Sequence, residues 1–63
     1  MSFFAERKRA NKTQEEVAEQ LNVSKAAISQ WENGQTNPRA TTLPKLAAIY
    51  GCTVDDLLKE DET

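Results

Sequence analysis

The segment from Thr13 to Gly34 constrains the fold more than any other part of the chain, because it carries the start and stop signals of two short helices. Thr13 and Glu16 have the spacing of a capping box, in which each side chain bonds the other residue's backbone N–H. A helix is therefore predicted to start directly after the threonine. Asn22 tolerates the left-handed backbone that ends a helix. Ser24 then starts a second helix and Gly34 ends it, so the segment is predicted to be helix, turn, helix.

The second of these helices has an apolar side and a polar side at about 100° per residue. Ala27, Ile28 and Trp31 cluster in one arc, which we predict to be core. The opposite arc, predicted to be exposed, consists of Lys25, Ala26, Ser29, Gln30 and Asn33. A polar arc alone is compatible with an ordinary solvated surface. Its place directly after a capped helix favours a binding role.

One further helix is predicted before this segment. Ser2 is its expected cap, and it should run to about Ala10. Phe3, Arg7 and Ala10 share one face of it at the spacing i, i+4, i+7. An arginine on a face that is even partly buried requires a partner.

A fourth helix is predicted after the segment. Pro38 keeps residues 35–39 in a loop, because it lacks an N–H and disfavours the helical conformation of the residue before it. The fourth helix is then expected over residues 42–50. Thr41 is its predicted N-cap, since this start places Pro44 in the first turn, where a missing N–H costs no hydrogen bond.

The end of the chain carries a second capping-box pattern, at Thr53 and Asp56, which predicts a short fifth helix. Residues 59–63 are acidic and are expected to fray. The pattern contains no strand signal. We therefore predict an all-α fold of five helices that forms a single domain over residues 1–63.

Composition argues against several classes of protein. The chain of 63 residues has one cysteine and no histidine. This makes a disulfide framework, a Cys/His zinc site or an imidazole-based catalytic dyad implausible, and we interpret Cys52 as a small apolar side chain. No apolar run is long enough for a membrane span or a signal peptide. We expect a cytoplasmic protein that is not an enzyme, binds no cofactor or metal and has no evident small-molecule effector.

The distribution of charge along the chain bears on nucleic-acid binding more than the net charge does. The net charge of −2 and the pI near 5.0 count against a nucleic-acid binder, which is usually basic. Residues 1–12, however, carry four basic side chains against Glu6, whereas residues 51–63 carry five acidic side chains against Lys59. This asymmetry allows a local basic face to dock while the acidic end points away.

The segment resembles the helix-turn-helix of the Cro/repressor family, a large group of small bacterial and phage DNA-binding domains. The matching features are an opening glutamine, a small residue near the middle of the first helix, the polar second helix and its Glu-Asn-Gly end. They correspond to Gln14, Ala18, Lys25 to Gln30, and Glu32-Asn33-Gly34. The resemblance extends over nearly all of Phe3 to Leu58 and implies a compact lambda-repressor-like domain. Glu6, Lys12 and Asn11 depart from it, because relatives usually have apolar residues at the first two positions and glycine at the third.

The resemblance also implies that the second helix of the motif lies in the major groove of DNA. The predicted base-reading residues are Lys25, Ala26, Ser29 and Gln30. The predicted phosphate contacts are Gln14, Ser24, Asn33, Thr36 and Arg39, of which the last is equally compatible with a simply solvated side chain. A structural tie between Arg7 and Glu32 is implied as well. Its alternative is a surface ion pair that contributes only about 0–1 kcal/mol.

The core is small, and the second helix of the motif has few strong hydrogen-bond donors for bases. Both features favour a dimer on a roughly palindromic operator, with half-sites about 34–36 Å apart. By resemblance, the partner surface involves Ala40, Val54 and Leu57, although Leu57 is equally compatible with an ordinary core position. The predicted function is a sequence-specific, double-stranded DNA-binding transcriptional repressor. The alternative is a protein-interaction module, such as an antitoxin or a regulatory subunit, that binds through its acidic C-terminus. The negative net charge favours that alternative.

Overall fold

The computed structural model describes residues 2–59, which fold into five helices with no strand among them. The helices are α1 (Phe3–Arg9), α2 (Gln14–Leu21), α3 (Lys25–Asn33), α4 (Leu43–Tyr50) and α5 (Val54–Leu58). The predicted all-α fold is confirmed. Most of the predicted acidic tail, residues 60–63, lies outside the described residues. Within them, no helix is both long enough and apolar enough to cross a membrane.

Side-chain caps fix the residues at which α2, α3 and α5 begin. Thr13 Oγ1 accepts a hydrogen bond from the N–H of Glu16 at 3.1 Å, and Glu16 Oε1 accepts one from the N–H of Thr13 at 2.8 Å. The same reciprocal pair joins Thr53 and Asp56, at 3.0 and 3.1 Å. At α3, Ser24 Oγ accepts from the backbone N–H three residues later, at 3.1 Å. The predicted caps of these helices are therefore confirmed, and each satisfies a donor that a helix leaves unpaired.

Residues with a left-handed backbone conformation end α2, α3 and α4. Asn22 (φ 59°) ends α2 and Gly34 (φ 79°) ends α3, as the sequence predicts. Gly51 (φ 70°) ends α4 in the same way. Asn11, in the turn between α1 and α2, is also left-handed (φ 59°). Asparagine is one of the few residues besides glycine that adopts this conformation at low cost, which explains how this turn forms without a glycine.

Ser2 is the N-cap residue of α1, as predicted, but its side chain does not cap the helix. Its hydroxyl makes no cap bond and instead donates to the carbonyl oxygen of Lys59 at 2.8 Å. The N–H of Ser2 donates to the carbonyl oxygen of Leu57 at 2.9 Å. These two bonds join the start of α1 to the end of α5. Lys59, the first residue of the predicted frayed tail, is held by one of these bonds.

Helix α4 begins one residue later than predicted, with Thr42 as its N-cap and not Thr41. The N–H groups of Thr42 and Leu43 both donate to the carbonyl oxygen of Arg39, at 2.9 and 3.2 Å, so a helical turn leads into α4. Thr42 itself has a helical backbone (φ −84°, ψ −27°) and no side-chain cap bond. Pro44 remains in the first turn, where its missing N–H breaks no bond, so the proline permits this start as well.

The hydrophobic core draws side chains from all five helices. Its buried members are Phe3, Val17, Ala18, Ile28, Leu46, Ala47, Tyr50 and Leu57. Helix α2 packs against both α3 and α4, and α1 closes the core against α3, α4 and α5. Ile28, only 1% exposed, anchors α3 on this core as predicted, with Trp31 half-buried at its margin. The opposite side of α3 is thereby held outward.

Tyr50 brings a titratable group into the core. Burial and the nearby Glu32 carboxylate raise the pKa of its phenol from 10.0 to about 12. The unfolded chain therefore loses this proton first, so the contribution to stability is fully present below pH 10 and is lost as the pH rises towards 12. We expect the free energy of unfolding, measured by chemical denaturation, to fall across this window. Tyr50→Phe should remove that component, and an alkaline loss equal to that of the wild type would contradict the assignment.

Candidate nucleic-acid interface

The outward side of α3 is polar and rests on a buried anchor. Four of its side chains are exposed, namely Lys25, Ala26, Gln30 and Asn33. Ser29 is half-buried at the edge of this side. The structure therefore brings the four predicted base-reading residues together on one surface, and we refer to Lys25, Ala26, Ser29 and Gln30 as the polar face of α3.

The predicted phosphate contacts lie around this face. Gln14 is at the start of α2, Ser24 precedes α3, Asn33 ends it, and Thr36 and Arg39 are exposed in the following loop. The hydroxyl oxygen of Ser24 accepts the cap bond of α3, so its hydrogen remains for an outside acceptor. Next to Asn33, an open pocket is lined by Trp31 and other residues at the end of the helix.

The loop after α3 is held in place at both ends. The N–H of Gln35 donates to the carbonyl oxygen of Gln30 at 2.9 Å, and the carbonyl oxygen of Arg39 accepts the two bonds that lead into α4. Pro38 is buried between these anchors. Although its backbone is fixed, the loop leaves the side chains of Thr36 and Arg39 exposed.

Arg7 and Glu32 form the ion pair that the resemblance implied. Arg7 Nε donates to Glu32 Oε2 at 2.6 Å and Arg7 Nη2 donates to Glu32 Oε1 at 3.2 Å. The remaining guanidinium nitrogen, Nη1, donates to the carbonyl oxygen of Lys12 at 2.8 Å. The two side chains are only 9% and 5% exposed. The ion pair is therefore bidentate and buried, and it is not the exposed surface pair that the sequence also allowed. It joins α1 to the last turn of α3.

Gln14 has a partner that the sequence did not reveal. Its Nε2 donates to Glu32 Oε1 at 2.9 Å, so the half-buried side chain belongs to the same network as Arg7. This bond joins the first residue of α2 to α3 and uses one of the two amide hydrogens. Because 18 positions separate the two residues, no local spacing in the sequence could have indicated the contact.

A groove of about 320 Å³ opens beside this network, between α1 and the start of α2. Three lysines line it, Lys8 from α1, Lys12 from the turn and Lys25 from α3. The rest of the wall comes from Arg7, Asn11, Thr13, Gln14 and Glu15. We refer to this feature as the basic groove. Lys8 and Lys12 were not predicted as site residues, because their relation to Lys25 exists only in the folded chain.

The three residues predicted at a dimer interface lie in different environments. Leu57 is 0% exposed and belongs to the core, so its prediction as an interface residue is wrong. A side chain without exposed surface cannot contact a second copy of the folded chain. Val54 is half-buried and Ala40 is exposed. The exposed apolar side chain of α5 is its neighbour Leu58, at 41%.

The described residues offer no evident metal site and no reactive thiol. They contain no group of three or more His, Cys, Asp or Glu side chains that could hold a metal ion. Cys52 is half-buried against the core, and burial raises the pKa of its thiol. The thiol is therefore protonated at neutral pH, which makes it a weak nucleophile.

Comparison with known proteins relates this architecture to a family. The family model described as "Helix-turn-helix" matches residues 4–57. The chain is 44% identical over 52 residues to the HTH-type transcriptional activator BcrR of Enterococcus faecalis, an alignment that covers 82% of this chain and 26% of that protein. No solved structure gives a significant match.

Two further relatives carry names of the same kind. The chain is 39% identical over 56 residues to the HTH-type transcriptional regulator ImmR of Bacillus subtilis, covering 89% of this chain and 44% of the relative. It is 38% identical over 50 residues to the cryptic phage CTXphi transcriptional repressor RstR of Vibrio cholerae, covering 79% and 45%. The chain thus spans less than half the length of each of these relatives.

Proposed function

Since the chain belongs to the helix-turn-helix family, we propose that it binds double-stranded DNA and regulates transcription, with α3 inserted in the major groove. The observation that carries this proposal is the polar face of α3, held outward by buried Ile28 and by the ion pair at Glu32. The major groove is about 12 Å wide and admits an α-helix. The names of the relatives, which include a transcriptional activator and a repressor, agree with a regulatory role.

Base recognition is assigned to the polar face. Lys25 donates to the O6 and N7 acceptors of guanine, and Gln30 pairs with adenine through two hydrogen bonds. Each such contact provides about 1–3 kcal/mol of discrimination against a wrong base. Ala26 offers a methyl group to a thymine methyl, and Ser29 contributes a hydroxyl. Two of the four side chains are small, so one copy should have modest specificity.

Backbone contacts are assigned to the surrounding residues Gln14, Ser24, Asn33, Thr36 and Arg39. Gln14 keeps one amide hydrogen beyond the bond to Glu32, and it stands at the N-terminus of α2, where the helix dipole favours an anion. Ser24 keeps its hydroxyl hydrogen in the same way. These residues would set the register of α3 on the duplex without reading its sequence.

We further propose a repressor that acts as a dimer on a palindromic operator and blocks a promoter by occupying it. Half-sites of such operators lie about 34–36 Å apart. The described fold measures 29 × 23 × 22 Å, so two copies can stand on adjacent turns of the duplex without overlapping. Ala40 and Val54 remain the candidate contacts between the copies. The protein would act in the cytoplasm, on the nucleoid.

DNA binding itself is tested by titrating the protein with random duplex DNA at several salt concentrations. We expect the logarithm of the association constant to fall linearly with the logarithm of salt concentration, by about 0.9 per phosphate neutralised. No binding even at low salt would rule out the DNA proposal. It would favour the protein-interaction module, whose support is the negative net charge.

Two variants should separate base reading from backbone contact on a site selected from a random pool. Gln30→Ala is expected to cost about 1–3 kcal/mol on the selected site and nothing on random DNA. Gln14→Ala should weaken binding to both alike. Gln20, exposed near the end of α2, provides a control change of the same kind. A uniform loss in Gln30→Ala would show that this residue does not read sequence.

A further inference from the structure

We propose that the basic groove receives a phosphate group of the bound DNA, with Lys8 and Lys12 as its ligands. Helix α1 and the turn after it would then contact the DNA backbone, in addition to the helix-turn-helix itself. The proposal rests on the proposed function, because its ligand is the backbone of the DNA duplex. It adds two residues that were not among the predicted phosphate contacts and that do not belong to the polar face of α3.

The side chains on the wall of the groove carry a surplus of positive charge. Arg7 is on its wall, but Glu32 already matches that charge. Among residues 2–59, the lysines of the groove form no salt bridge, and Glu15 is the single acidic side chain on the wall. Three ammonium groups against one carboxylate leave a surplus of positive charge, which favours an anion.

The start of α2 adds donors to the same groove. Thr13 accepts through its hydroxyl from Glu16 and through its carbonyl from Val17, at 3.1 and 3.2 Å. The N–H groups of Gln14 and Glu15, both on the wall, are the first-turn donors that this cap does not serve. Unpaired N–H groups at the start of a helix point towards an approaching anion. Lysines from α1, from the turn after it and from α3 line the same groove.

Lys8 has a side-chain contact within the protein, and Lys12 has a fixed backbone. Lys8 Nζ lies 5.9 Å from the centre of the Phe4 ring, a distance at which the ring attracts a cation. The guanidinium carbon of Arg7 lies near the same ring, at 5.3 Å from its centre, and the Phe4 side chain is 53% exposed. The backbone of Lys12 is fixed to Arg7 by two bonds, one from its N–H at 3.2 Å and one to its carbonyl oxygen at 2.8 Å. Restraint before binding lowers the entropy lost on contact.

The groove also adjoins the surface that would read bases. Lys25 lines the groove and is the first residue of α3, so it belongs to both surfaces. A phosphate in the groove would therefore lie next to the base edge that Lys25 approaches. Backbone contact and base contact would form one continuous interface from α1 to α3.

The test measures salt dependence in charge-matched variants on random duplex DNA. Lys8→Gln and Lys12→Gln should each reduce the slope of log association constant against log salt by about one, and the double variant by about two. Lys45→Gln is the control, because Lys45 is exposed on α4 and is not part of the groove. It removes the same charge and should retain the wild-type slope. Thermal denaturation of each variant verifies that the fold is kept.

The outcomes separate this inference from the proposed function. Wild-type binding with a double-variant slope equal to that of the wild type would overturn the phosphate site and leave the DNA proposal standing. Equal reductions of the slope in Lys8→Gln, Lys12→Gln and Lys45→Gln would also overturn it, since they would reflect net charge alone. Absence of binding by the wild type at any salt concentration would overturn both.

Discussion

Glu32→Ala is expected to destabilise the protein by about 3–5 kcal/mol, because removal of one partner leaves a buried charge uncompensated. Arg7 would lose both bonds to the carboxylate and keep only the Lys12 carbonyl oxygen at 2.8 Å. Gln14 would lose its bond to the same carboxylate. A domain of 63 residues has a small core and little stability to spare. Most of this variant should therefore be unfolded at ambient temperature, as circular dichroism during urea denaturation would measure.

The surface pair of Arg9 and Glu6 provides the control for this prediction. Arg9 Nη2 lies 2.6 Å from Glu6 Oε1, as close as the buried pair, but the Arg9 side chain is 60% exposed. Arg9→Ala should therefore leave the denaturation midpoint nearly unchanged. The double variant Arg7→Met, Glu32→Met should recover part of the loss, because no unpaired charge remains buried. Equal midpoints for Glu32→Ala and Arg9→Ala would contradict the structural importance of the tie.

Leu57→Ala is expected to destabilise the fold by about 2–5 kcal/mol, the usual cost of a cavity in place of a buried leucine. The side chain is 0% exposed, and its carbonyl oxygen also receives the N–H of Ser2, so it lies where α5 meets α1. Leu58→Ala removes the same atoms from the next residue, which is 41% exposed. It should have a much smaller effect. Denaturation of both variants gives the comparison.

Protein concentration distinguishes a core role of Leu57 from a dimer role. A core residue gives the same loss of stability at every concentration, because the affected contacts lie within one copy. An interface residue gives a midpoint that depends on concentration, since dissociation is coupled to unfolding. A concentration-dependent midpoint that is abolished by Leu57→Ala would contradict the assignment to the core.

The elements that the sequence predicted correctly are those whose physical causes are local. Thr13 and Glu16 bond each other across one turn, and Thr53 and Asp56 repeat the arrangement, so their spacing alone marks a helix start. The left-handed end at Asn22 is likewise a property of one residue and its neighbours. The predictions that failed concern the Ser2 cap and the start of α4. The first depends on a residue far away in the sequence, and the second on a residue that is compatible with several helix starts. The hydroxyl of Ser2 bonds a carbonyl group 57 positions away, and the proline in α4 allows more than one start.

The candidate site likewise has one part that the sequence predicted from a local pattern and another part that it did not. The polar face of α3 follows from helical periodicity, and the side chains of Lys25 and Gln30 are exposed as that periodicity requires. The bond between Gln14 and Glu32 joins separate helices, and so do the lysines of the basic groove. Their proximity is a result of packing, which a single sequence does not encode in any local pattern.

The two bonds that Ser2 makes to the end of α5 bring the first and last described residues side by side. Residues 2–59 thus form a nearly closed ring. A short peptide joining Lys59 to Ser2, with new termini in the exposed stretch 35–37, would give a circular permutant that retains the core contacts of all five helices. In such a permutant α3 would become the last helix of the chain.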